Sequence, residues 1–128
     1  MVNMEPRVYV IDDEDCVRDS LIALLKAVGH ETQSFSTASE FLGVFSEADS
    51  AQPQCLLVDI ELPDMNGLDL LSELHRQEKS IPAIVITGHG GEELETTAVQ
   101  RNAVAYFQKP FDTSRLLNAV SRVLEPIV

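Results

Sequence analysis

The 128-residue sequence is poor in basic residues and cysteine. Nine Lys and Arg stand against 21 Asp and Glu, a formal net charge of −12. A domain of this sign repels phosphate backbones, which excludes direct nucleic-acid binding as its role. The acidic balance suits metal cations or a basic partner surface, and most of it reads simply as a solvated face. Two cysteines, Cys16 and Cys55, make neither a disulfide framework nor a zinc site. There is no CxxC and no basic neighbour to lower a thiol pKa, so neither is expected to be redox-active. Cys55 reads as a small core residue, and Cys16 falls in a first helical turn. No apolar run approaches the roughly 20 residues that a membrane helix needs. The start, MVNMEPRVYV, lacks a basic segment followed by an apolar one, so no secretory signal is read. The expectation is a cytoplasmic chain without a membrane partner. Repeats, low-complexity tracts and composition breaks are also missing, and the chain reads as one domain, 1–128, with its core at about 7–124.

What is present is organised around residues 55–67, CLLVDIELPDMNG. Cys55, Leu56, Leu57 and Val58 form a short buried strand that runs into Asp59; Pro63, Asp64 and Asn66 turn the chain, and a helix opens at Gly67. A carboxylate at the end of a buried strand is costly unless a polar or cationic group meets it. Three further stretches repeat the design. Val8 to Ile11 ends in Asp12-Asp13, Ala83 to Ile86 ends in Thr87, and Ala105 to Gln108 ends in Lys109.

Between these strands lie helical signals. Asp15 is a plausible N-cap for a helix whose stripe is Leu21, Leu24, Leu25 and Val28, stopped by Gly29. The segment ETQSF, 31–35, is a polar and therefore edge strand. Thr37 and Glu40 have capping-box spacing before Ala38, Phe41, Leu42 and Phe45. Residues 47–54 read as a polar loop. Helices are expected at 67–78, at 92–102 with a thin apolar face of Leu94, Ala98 and Val99, and after Asp112 or Thr113, where Leu116, Leu117, Val120, Val123 and Leu124 face inward and Pro126 closes the helix. Five strands alternating with five helices indicate a doubly wound α/β fold of order 2-1-3-4-5, in which ligands bind beyond the strands' carboxyl ends. Asp12, Asp13 and Asp59 would meet at its switch point.

Three carboxylates brought together repel, each close pair by on the order of 4 kcal/mol at an effective dielectric of about 20. A hard divalent cation resolves this, and an oxygen-only, open site suits Mg²⁺. Asp59 is then placed to attack phosphorus as a carboxylate nucleophile. In the transition state, charge spreads over three oxygens, which Mg²⁺, Lys109, and Thr87 with nearby backbone N–H groups would stabilise. Each residue alone has a plainer explanation. Asp12 and Asp13 could cap a helix, Asp59 and Thr87 could be turn residues, and Lys109 could be a surface lysine. Taken together, at the ends of four apolar runs, they point to phosphoryl chemistry.

The motifs DD, D-x-x-LP-x-M-x-G, TGHG and KPF, in this order, resemble those of response-regulator receiver (CheY-like) domains of flavodoxin-like fold, and ITGHG with KPF is most similar to the FixJ-type branch. The resemblance runs from Arg7 to Leu124. It implies that Asp59 accepts a phosphoryl group from a sensor histidine kinase or a phosphotransfer protein. Asp13, Asp59 and the backbone carbonyl of Glu61 would bind Mg²⁺, with Asp12 acting through water. Thr87 and Tyr106 would be the switch pair, Lys109 the phosphate-binding lysine, and Lys109–Pro110 a cis peptide. Glu61, Gly88 and His89 stand at the site mouth, where they would position phosphate or water; a plain loop role for His89 remains open. Helix four, strand five and helix five would form the output and dimerisation face. Asn102 stands where glycine is common in the family, and it tolerates the left-handed conformation of a helix end.

The expected function is a two-component signalling switch, not an enzyme, with transcriptional regulation as the output by analogy of fold. The rivals are an adaptor that never phosphorylates and an aspartyl-phosphate phosphatase, for which Glu61 has the spacing of a general acid. A flavin or nucleotide binder lacks its Gly-rich loop after strand one.

Overall fold

The computed structural model describes residues 7–45 and 53–125. Five strands, β1 (Arg7–Ile11), β2 (Glu31–Phe35), β3 (Gln54–Asp59), β4 (Ala83–Thr87) and β5 (Ala103–Gln108), form one parallel sheet of order β2-β1-β3-β4-β5. Helices α1 (Asp15–Ala27), α2 (Ala38–Val44), α3 (Gly67–Arg76), α4 (Glu92–Gln100) and α5 (Thr113–Leu124) fill the crossovers. This is the flavodoxin-like (βα)5 arrangement expected from the alternation of apolar runs.

A parallel sheet is covered on both faces, so its inner strands are apolar throughout. β3 and β4 are buried along their whole length. Alternate residues point to opposite faces. Tyr9, Ile11, Leu56, Val58 and Val85 pack with residues of α2, α3 and α4. Val8, Val10, Leu57, Ile84 and Ile86 pack with residues of α1 and α5. Burial pushes the Cys55 thiol up to about 12, which keeps it protonated and inert. The polar β2 lies at the sheet edge. Among the described residues no helix is long and apolar enough to cross a membrane.

Several local expectations are corrected. Glu14, not Asp15, occupies the N-cap of α1, and it makes no side-chain cap bond. Thr37 does cap α2, accepting from the Glu40 N–H, but the Glu40 carboxylate accepts from the Ser36 and Thr37 hydroxyls and, among the described residues, makes no return bond to the backbone. Val28 is exposed because it is the C-cap residue of α1, beyond the turn that meets the sheet. Val99 is 62% exposed, since α4 sits on the sheet through Ala98. Helix α3 stops at Arg76, two residues early, where Glu78 turns to φ +58°. Helix α4 stops at Gln100, and Asn102 takes the left-handed conformation, φ +71°. Asp112 caps α5, accepting from the Arg115 N–H. The expectations for most of the 47–54 loop and for Pro126 fall outside the described residues.

Candidate functional site

Register brings the site together. Ile11 pairs with Val58, Asp59 with Ile86, and Thr87 with Gln108, so Asp12, Asp59, Thr87 and Lys109 follow one another along the carboxyl rim. Three of the four are enclosed: Asp12 is 0% exposed, Asp59 2% and Thr87 0%. The cis Lys109–Pro110 bond lies just past β5, and the Lys109 N–H donates to the Thr87 carbonyl at 2.7 Å.

The Lys109 ammonium donates to Asp12 Oδ2 and Asp59 Oδ2, both at 3.0 Å, and to Glu14 Oε1 at 3.2 Å. The remaining oxygens are also used. Asp12 Oδ1 accepts from the Glu14 N–H at 2.9 Å, and Asp59 Oδ1 from the Glu61 N–H at 3.0 Å. Arg18 of α1 donates to the Asp12 carbonyl at 2.8 Å, tying the start of the helix to the rim. Burial opposes ionisation of Asp12, and the nearby Asp59 adds to this. The Glu14 N–H and Lys109 counter them only in part, so the carboxyl stays above its ordinary range. Burial alone would lower the Lys109 ammonium, but its bonds to Asp59 and Asp12 outweigh it and hold the proton more tightly than usual.

Carboxylate oxygens of Asp12, Glu14 and Asp59 lie within 4.8 Å of one another. An oxygen-only donor set of this charge fits a hard divalent cation. Glu14 was missed in the sequence reading, though the third acid in Asp12-Asp13-Glu14 was its signal. Asp13, expected as a direct metal ligand, is exposed and lies outside this group of three.

The mouth of the site is formed by two loops. His89 Nδ1 meets Glu61 Oε1 at 2.7 Å, and the His89 N–H donates to Thr87 Oγ1 at 3.2 Å. The Glu61 carboxylate, through its hydrogen bond and its charge, raises the pKa of the His89 imidazole. Gly88 is exposed beside them, and a β-carbon there would come into ordinary contact with the Glu61 carboxylate. Tyr106 is half-buried against the core, and its hydroxyl accepts from the Gly91 N–H at 3.2 Å. A β-carbon on Gly90 would collide with that hydroxyl. Glu61 also bridges Asn66 across the base of the β3–α3 loop, and Gly67 crosses the Asp59 carbonyl so closely that a side chain there has no room. Beside Lys109 the rim opens into a groove of about 630 Å³ lined by Glu14, Cys16, Val17, Pro110 and Phe111.

Residues 8–121 match the response regulator receiver domain. The response regulator protein TodT of Pseudomonas putida is 34% identical over 118 residues, which cover 92% of this chain and 51% of TodT. The transcriptional regulatory protein FixJ of Rhizobium meliloti is 35% identical over 121 residues, covering 94% of this chain and 58% of FixJ. The crystal structure of FixJ-N superposes with a TM-score of 0.82 at 34% identity and covers 97% of both chains. The chain thus spans about half the length of the curated relatives it matches. With matching sequence and fold, the chain belongs to the receiver domains of two-component response regulators.

Proposed function

We propose that Asp59 is the phosphoacceptor of this receiver and that its phosphorylation is a Mg²⁺-dependent switch. The observation that carries the reading is the Lys109 ammonium held 3.0 Å from both Asp12 and Asp59 at the enclosed carboxyl rim. An oxygen of Asp59 attacks the phosphorus of a kinase or phosphotransfer-protein phosphohistidine. The P–N bond breaks, and the imidazole leaves with the electron pair. Lys109, Thr87 and the N–H groups around Gly88 and His89 stabilise the phosphoryl oxygens. Asp59, with Asp12, Asp13, Glu14 and the Glu61 carbonyl around it, holds the cation directly or through water. Bound there, Mg²⁺ supplies positive charge for the transferring group and relieves the repulsion among the acids. The groove beside Lys109 is the approach for the phosphodonor.

The acyl phosphate draws the Thr87 hydroxyl toward it. Tyr106 follows, which biases a two-state equilibrium at α4, β5 and α5. Val99 and Val104 are exposed apolar residues on that face and favour self-association there. The domain acts as a cytoplasmic signalling switch and not as a turnover enzyme, and its similarity to the transcriptional regulatory protein FixJ supports a transcriptional output.

Intact-mass analysis after incubation with acetyl phosphate tests this reading. One phosphoryl group should be gained with Mg²⁺, none without it, and none in Asp59→Asn; a coincident shift to dimer would assign the output face. Undiminished labelling of Asp59→Asn would refute the assignment.

A further inference from the structure

The tip of the β3–α3 loop is fastened to a different helix. Asp64 Oδ1 accepts from the Ala38 N–H at 3.1 Å, and Asp64 Oδ2 accepts from the Ser39 N–H at 2.8 Å and the Ser39 hydroxyl at 2.6 Å. The first N–H groups of a helix have no partner within it. In α2 Thr37 satisfies the Glu40 N–H, and an acid 25 and 26 residues away takes the Ser39 and Ala38 groups. Slight burial opposes the Asp64 charge, but the Ser39 and Ala38 donors outweigh it and hold the carboxyl below its ordinary range. Asp64 therefore stays ionised, and its two oxygens meet three donors.

The same loop carries Glu61. Its base is closed by the Gly67 N–H on the Ile60 carbonyl at 2.8 Å and by the Glu61–Asn66 bridge. The side-chain tie of Glu61 to His89 is exposed on both partners, and such pairs contribute little. Asp64 combines charge-assisted bonds to backbone N–H groups with a fixed partner, the start of a helix packed through Ala38 and Phe41.

We propose that Asp64 is a positioning residue for the phosphorylation site: its clamp on Ala38 and Ser39 holds the β3–α3 loop so that the Glu61 carbonyl stays within reach of the cation at Asp59. The inference rests on the reading of Asp59 as a Mg²⁺-dependent site. It assigns part of the metal affinity to a residue that touches neither metal nor phosphoryl group. Groups hydrogen-bonded directly to metal ligands change metal affinity by about 10- to 100-fold; Asp64 acts through the loop backbone, so its effect falls below that range.

The test is Mg²⁺ titration of ¹⁵N-labelled protein, followed by amide shifts of residues 59–66, for the unaltered chain, Asp64→Ala and Thr37→Ala. The Thr37 variant removes a different cap of the same helix, so it controls for lost α2 stability. Asp64→Ala should raise the Mg²⁺ midpoint by roughly 3-fold, below the range for direct partners of the ligands. Thr37→Ala should lower the melting temperature and leave the midpoint in place. At saturating Mg²⁺ both variants should label with acetyl phosphate to the unaltered extent. An unmoved midpoint in Asp64→Ala, or an equal movement in Thr37→Ala, overturns the clamp while leaving the Asp59 reading intact. An unaltered chain that neither binds Mg²⁺ nor gains phosphoryl mass overturns both.

Discussion

Helices α3 and α4 lie on the same face of the sheet, and each follows a strand that ends at the rim. They are held very differently. Helix α3 buries Gly67, Leu68, Leu70, Leu71 and Leu74, is capped by the Asn66 side chain on the Leu68 N–H, and starts against the Asp59 backbone. Helix α4 buries Ala98 alone, has no side-chain cap at Gly91, and is met there by the Tyr106 hydroxyl. Broad hydrophobic contact holds one helix, while the other rests on Ala98 and a partly buried Leu94 and donates the Gly91 N–H at its start to a tyrosine of β5. An element with few buried contacts has a low cost of displacement. The helix after Asp59 is thus the more firmly packed of the two, and the helix after Thr87 the less.

The largest test of this contrast is a pair of truncations. Leu70→Ala should cost about 2–5 kcal/mol, as cavity-forming Leu substitutions do. Val99→Ala should stay within about 0.5 kcal/mol, as at other surface positions. Urea denaturation of the two variants measures both, and equal losses would erase the distinction. Caps come next. Asn66→Ala should cost about 1 kcal/mol, and Gly91→Ser, which adds a cap where extended backbone and open space allow one, should gain a few tenths of a kcal/mol. A gain at Gly91 as large as the loss at Asn66 would mean that α4 is limited by its cap and not by its packing. The smallest effect concerns the loop before α4. Because Glu61 raises the His89 pKa, the charged pair is complete below the ordinary imidazole value of 6.5 and is lost as pH rises through the raised value. NMR titration should find the imidazole above 6.5, and Glu61→Gln should return it toward 6.5. Added salt should shrink the difference. A titration that ignores Glu61 would remove this tie across the site mouth.

Four strands were legible as short apolar runs stopped by a polar residue and β2 by its polarity as an edge, and their order follows from alternation with helices. The same logic located Asp12, Asp59, Thr87 and Lys109, since each lies where its strand leaves the core. Helix faces were less legible. Spacing alone put Val28 and Val99 on buried stripes, but a stripe does not reveal where a helix leaves the sheet or which of two adjacent residues, Ala98 or Val99, meets it. Glu14 escaped because its carboxylate reaches Lys109 from beyond the strand end, a contact set at the N-cap of α1. The role of Asp64 at α2 had no local signature, its partners being 25 and 26 residues earlier.

The ion pairs of Lys109 span 97 residues to Asp12 and 50 to Asp59. On a ribosome, both acids emerge well before the ammonium that neutralises them. Until β5 is in place, the two carboxylates that the folded rim holds against one ammonium lack that partner. Lys109 follows the last strand and meets both acids at once, so the charge balance of the rim is completed only by the final third of the fold.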